Sequence, residues 1–217
     1  MDMLMRVIVL MALPVLSLIV GCVCGILPPS LIESWSSFLH YMRRTNKYTP
    51  IPKREFNFDA VQPGIYLGRQ PRHLEDIALL QSERYNVSAL VCMNMEWELF
   101  VPSSKFTTIE PTLARLHLPV SDFQAPSLAQ IQEAMVFIQH HRSRGSSVYI
   151  HCNAGKGRSG VISVAYAMLT GANEIASAFT GIKSKRAVLS NSMLRYPFVG
   201  QARVLVKWQQ ALKKRAQ

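Results

Sequence analysis

Residues 146–160 read SSVYIHCNAGKGRSG, and no other run limits the possible folds of this chain so strongly. Ser146 to His151 has the composition of a strand, and Gly155 and Gly157 make the next residues a loop. From Arg158 to about Thr170 the pattern is helical, and Gly171 stops it. A strand that runs through a glycine-rich loop into a helix can curl its amides inward as a nest for an anion. The helix N-terminus adds partial positive charge to that nest. Arg158 stands where its guanidinium can close over the nest and grip two oxygens of one group. The loop opens on Cys152 rather than on the Lys-Ser/Thr pair of a nucleotide-binding loop. Surroundings that hold a phosphate dianion also favour a thiolate, so Cys152 is expected to ionise easily and to attack a bound phosphorus in line. Asn153, Ala154, Gly155, Lys156, Gly157 and Arg158 are the expected phosphate binders. The Ser159 hydroxyl is placed to support the sulfur as it leaves in the second step.

Cleaving a phosphate monoester this way also needs an acid for the departing oxygen. Asp122, in LPVSDFQAPS, is the one carboxylate between Glu110 and Glu133. A loop at the end of one strand can reach the mouth of its neighbour, which makes Asp122 the candidate acid and later the base for water; the alternative is a turn aspartate. The six histidines, at 40, 73, 117, 140, 141 and 151, show no ligand spacing, and the chemistry requires neither metal nor cofactor. His151 is read as fixing the loop rather than carrying protons, and Trp97 as core.

Preceded by an apolar strand and His151, and followed by a helix, the Cys-x5-Arg-Ser run resembles the signature of the dual-specificity, cysteine-dependent phosphatases. ALVCMNMEWELF (89–100) and the stretch from Leu116 to Ser159 are further similar to the mitochondrial phosphatidylglycerophosphate phosphatases. The chain departs from that family at Asn153, where a lysine is usual. Lys156 between two glycines is instead similar to the loop of the tensin-type phosphoinositide 3-phosphatases. The resemblance implies a lipid phosphate monoester substrate, foremost phosphatidylglycerophosphate in cardiolipin synthesis. It leaves open a phosphoinositide or phosphoprotein substrate, and a silent phospholipid-binding pseudophosphatase. Glu96 and Glu98 match the family's acidic segment, which either orders the pocket or caps a loop.

Around the motif the pattern alternates between strand and helix. Strands are expected within residues 56–68 around a Pro63–Gly64 turn, at 87–94, at 114–120 and at 146–151. Helices are expected at 73–83, after the Ser127/Gln130 capping box, from Arg158, after Asn173 and over 199–215. This order predicts an α/β domain over 56–217, with a mostly parallel central sheet flanked by helices. Val7 to Leu27 carries no charge over 21 residues, long enough to span a bilayer, so residues 1–28 are expected to form a transmembrane anchor. Residues 29–55 are the juxtamembrane linker, and its Arg43, Arg44, Lys47, Lys53 and Arg54 put the body on the cytosolic or matrix side. The mitochondrial inner membrane, with the body in the matrix, is the favoured location; the endoplasmic reticulum facing the cytosol is the alternative.

The charge is uneven. The net is +11, and residues 151–217 hold eleven basic residues against one acidic. Without aromatics interleaved among them, these do not form a nucleic-acid surface. An anionic membrane is the expected partner, with Lys183, Lys185, Arg186 and Arg195 facing it, while Lys156 inside the loop is placed to bind a second phosphate or phosphodiester.

Overall fold

The computed structural model describes residues 56–100, 112–172, 174–189 and 200–215. By its packing the chain divides into two units, Met1–Thr49 and Pro50–Gln217, and all described residues belong to the second. The expected anchor, the linker and Arg195 lie outside them. Among the described residues no helix is long and apolar enough to cross a membrane.

Strands β1 (Phe58–Gln62) and β2 (Ile65–Arg69) form a hairpin whose turn uses Gly64 at φ 66°. Helix α1 (Leu74–Gln81) leads to β3 (Val87–Cys92), followed by a 3-10 turn at Glu96–Glu98 and β4 (Ala114–His117). Helix α2 (Leu128–Arg142) precedes β5 (Ser147–Cys152). Helices α3 (Arg158–Leu169), α4 (Ile175–Lys185) and α5 (Gly200–Arg215) complete the order. The sheet runs β1-β2-β5-β3-β4. Three of its pairings are parallel and the β1–β2 pair is antiparallel, so the sheet is mixed.

Ser127 caps α2 as the sequence suggests: its hydroxyl accepts from the Gln130 amide at 3.1 Å while the Gln130 side chain accepts from the Ser127 amide at 2.9 Å. Helix α4 begins one residue later than expected, with Glu174 at the cap; Asn173 lies outside the described residues.

β3 and β5 are central and buried on both faces, which explains their near-continuous apolar sequence. Ala89, Val91, Val148, Ile150 and Cys152 face the core under α2 to α5, while Leu90 and Tyr149 face α1. Trp208 of α5 is fully buried and donates to the Ala165 carbonyl of α3 at 3.0 Å, which ties the last helix to the helix behind the loop. The parallel strands β3, β4 and β5 all end at the same edge, and the loops that leave them meet there.

Candidate active site

Cys152 is the last residue of β5 and is 4% exposed. The Ser159 hydroxyl donates to its sulfur at 3.2 Å. Burial pushes the thiol up. Arg158, the Ser159 hydroxyl, and the Ser159 and Lys156 amides more than offset this, so the thiol titrates below its ordinary range. Cys92 shows the contrast. It is equally buried, and burial outweighs Arg115 beside it, so its thiol is pushed up.

Between Cys152 and α3 the loop turns tightly at Gly155, φ 65°. A Cβ at Gly155 would lie 2.3 Å from the Gly68 carbonyl oxygen, so only glycine lets the loop lie this close to β2. Gly155 is buried, Asn153 and Gly157 are half-buried, and Ala154 and Lys156 are exposed on the rim.

Arg158 is 1% exposed, and every side of its guanidinium but one is committed. Nη1 donates to Glu98 Oε2 at 2.6 Å and to the Val120 carbonyl at 2.8 Å. Nη2 donates to Glu98 Oε1 at 2.9 Å and meets Asp122 Oδ1 at 3.1 Å. Nε is buried with no hydrogen-bond partner. The end of the fork is thus clamped by Glu98; on the Nε–Nη2 edge Nε is open and Nη2 faces Asp122, so an anion gripping that edge takes the place of the Asp122 oxygen. Burial works against the charge of Arg158, but Glu98, the Cys152 thiolate and Asp122 hold it firmly protonated.

Asp122 comes from the loop after β4 and is 31% exposed. Its Oδ1 also accepts from the Phe123 amide at 3.1 Å. Phe123 has φ 63° and is half exposed, so the backbone makes a tight kink beside the carboxylate. The structure therefore brings Cys152, Arg158, Ser159 and Asp122 into one cluster.

Two features needed the structure to be seen. Glu98 combines both of its alternatives: it clamps Arg158, and its Oε2 accepts from the Met95 amide at 2.8 Å, closing the 3-10 turn. Arg186 corrects the sequence reading. It is 1% exposed and turned into the loop, not toward a surface, with Nε donating to the Gly155 carbonyl at 2.6 Å. Lys183 donates to the Leu189 carbonyl at 2.5 Å, whereas Lys185 is exposed. Trp97 is half-buried and lies outside the core clusters. His151 is fully buried, and burial with Arg115 and His117 nearby lowers its pKa to about 3, so it is neutral.

A family model described as the DSP-PTPase phosphatase domain of the Swiss Army Knife protein (PTP-SAK) matches residues 55–196. Phosphatidylglycerophosphate phosphatase PTPMT2 of Arabidopsis thaliana is 29% identical over 130 residues, 59% of this chain and 55% of that protein. The Homo sapiens phosphatidylglycerophosphatase and protein-tyrosine phosphatase 1 is 31% identical over 111 residues, 50% of this chain and 54% of its own. The chain thus spans about half the length, or less, of the curated relatives it matches. The structure of PTPMT1 in complex with PI(5)P superposes with a TM-score of 0.63 at 22% identity, covering 74% of this chain and 99% of that one. That of Tk-PTP in the active form gives 0.59 at 25% identity, covering 70% and 96%. With a matching domain model over residues 55–196 and a cysteine seated at the foot of an arginine-closed loop, the chain belongs to the DSP-PTPase family of cysteine-dependent phosphatases.

Proposed function

We propose that this chain hydrolyses the phosphate monoester of a phospholipid, foremost phosphatidylglycerophosphate, through a phosphocysteine intermediate. The observation that carries the chemistry is the single cluster of Cys152, Ser159, Arg158 and Asp122. The phosphate seats on the loop amides of Asn153 to Arg158 and on the Nε–Nη2 edge of Arg158. It takes over the place on Nη2 that Asp122 Oδ1 now occupies and frees Asp122 to face the ester oxygen. Cys152 Sγ attacks phosphorus as the P–O ester bond breaks, and the Asp122 carboxyl gives its proton to the departing alkoxide. In the second step Asp122, now a carboxylate, takes a proton from water. That water attacks phosphorus, the S–P bond breaks, and the Ser159 hydroxyl supports the departing thiolate. Inorganic phosphate and the free enzyme result.

Three things support a lipid substrate. Relatives bear the name phosphatidylglycerophosphate phosphatase, a fold neighbour was solved with PI(5)P, and exposed Lys156 sits on the rim of the loop. In this reading Val7–Leu27 anchors the chain in the mitochondrial inner membrane, where the substrate's effective concentration is high. The test is a panel of phosphatidylglycerophosphate, phosphoinositides and a phosphotyrosine peptide at matched phosphate concentration, the lipids in vesicles. Preference for phosphatidylglycerophosphate is expected. Faster turnover of the peptide would overturn the lipid assignment while leaving the mechanism standing.

A further inference from the structure

Arg186 is 34 residues beyond Cys152 in sequence, yet its guanidinium lies behind the phosphate loop. Nε donates to the Gly155 carbonyl at 2.6 Å and Nη2 to the Ala154 carbonyl at 3.2 Å. Nη1 turns the other way. It meets Asp59 Oδ2 at 2.7 Å and Asn57 Oδ1 at 3.1 Å. Asp59 lies on the edge strand β1, and Asn57 immediately precedes that strand. Each nitrogen of this fork is therefore engaged, with two hydrogen bonds to the loop and two to Asp59 and Asn57.

The consequence follows from the peptide bond. A trans peptide is planar, with its C=O and N–H pointing in opposite directions, and no cis bond occurs among the described residues. The Gly155 carbonyl and the Lys156 amide belong to one such plane. Drawing the carbonyl outward to Arg186 turns the Lys156 N–H inward, and that amide is one of the donors holding the Cys152 thiol low. By the same geometry, holding the Ala154 carbonyl outward turns the Gly155 N–H toward the anion. The left-handed φ of Gly155 makes this reversal possible, and the Gly68 carbonyl packed against Gly155 closes the other side.

We propose that Arg186, anchored by Asp59 and Asn57, is a positioning residue that keeps the loop's amides turned toward the thiolate and the phosphate. It touches neither the sulfur nor the substrate; it acts through two peptide groups. In this respect the hairpin β1–β2, at the far edge of the sheet from β4, belongs to the catalytic apparatus.

The test uses the full chain with Arg186→Gln, Arg186→Lys and Asp59→Asn. Two readouts are taken besides a thermal melt: the pH dependence of Cys152 alkylation by iodoacetate, and the dissociation constant for vanadate. Losing charge-assisted hydrogen bonds that orient two amides should weaken vanadate binding about ten- to a hundredfold in R186Q. It should also move the alkylation profile to higher pH. R186K, which restores the charge and can reach one carbonyl, should recover part of both, and D59N should shift both in the same direction by less. A variant that melts earlier but keeps both readouts within twofold of the wild type would show a merely structural role and overturn the proposal. If R186Q gives no cooperative melt, R186K and D59N decide: shifts in both readouts support it, and wild-type values overturn it.

Discussion

Replacing Glu98 by glutamine keeps the shape of a fully buried side chain and removes its charge. Glu98 Oε1 accepts one bond, from Arg158 Nη2 at 2.9 Å. Oε2 accepts two, from Nη1 at 2.6 Å and from the Met95 amide at 2.8 Å. In its better orientation, a glutamine keeps the two bonds of Oε2 and sets its NH2 against Nη2, donor facing donor. One charge-assisted bond is lost, at about 1.5–3 kcal/mol. The guanidinium also loses most of its neutralising partner, and breaking a buried pair from one side costs about 3–5 kcal/mol. Retaining two of the three bonds places E98Q near the low end, at about 3 kcal/mol. For a domain of this size each kcal/mol moves Tm by about 2–4 °C, so the melt should fall by about 6–12 °C. Vanadate should recover part of that loss, because an oxyanion on the Nε–Nη2 edge supplies the missing negative charge. A melt within 2 °C of the wild type, with no added response to vanadate, would refute the reasoning.

Other outcomes can be checked beside it. C152S should abolish turnover of an aryl phosphate, and full activity in that variant would remove the phosphocysteine. Because the folded-state thiol of Cys152 is depressed, its thiolate contributes stability above the unfolded-state thiol pKa, and that contribution is lost as pH falls through the folded-state value. Chemical melts of wild type against C152S across that window should converge toward low pH. Iodoacetate at neutral pH should modify Cys152 well before Cys92, as peptide mapping would show. D122N should slow an alkyl phosphate by about 10²–10⁴ and a good aryl leaving group far less; equal losses would remove Asp122 as the acid. G155A forces a Cβ to 2.3 Å from the Gly68 carbonyl at a left-handed φ, and calorimetry should find vanadate binding lost.

The strand-loop-helix unit was legible because its chemistry is local: Cys152, two glycines, Arg158 and Ser159 lie within eight consecutive residues. The position of Asp122 beside Arg158 was legible by elimination, as the one carboxylate in its stretch. Glu98 was half legible. Its segment was recognised, but the partner lies 60 residues away and is chosen by the β3–β5 pairing. Arg186 was misread, because a basic residue at the end of a helix normally faces solvent. Its reason for burial is two carbonyls and a carboxylate supplied by distant parts of the chain. Lys207, Lys213, Lys214 and Arg215 on α5 are exposed. Among the described residues the basic third thus holds Arg158 within the site, Arg186 behind the loop, Lys183 on the Leu189 carbonyl, and exposed cations on α5 left for a surface.

The company kept by Arg158 also bears on how the chain matures. Its partners Met93, Val120 and Glu98 lie 65, 38 and 60 residues back along the chain. Contacts of that sequence separation form slowly, since the intervening loops must be closed before any bond rewards them. Until β3, β4 and β5 have docked side by side, the arginine has no clamp and the cysteine lacks the donors that favour its thiolate. Half-folded chains should therefore be inert toward phosphate esters, and their Cys152 should alkylate more slowly at neutral pH than it does in the folded chain. The appearance of a reactive thiol can serve as a clock for the last step of folding.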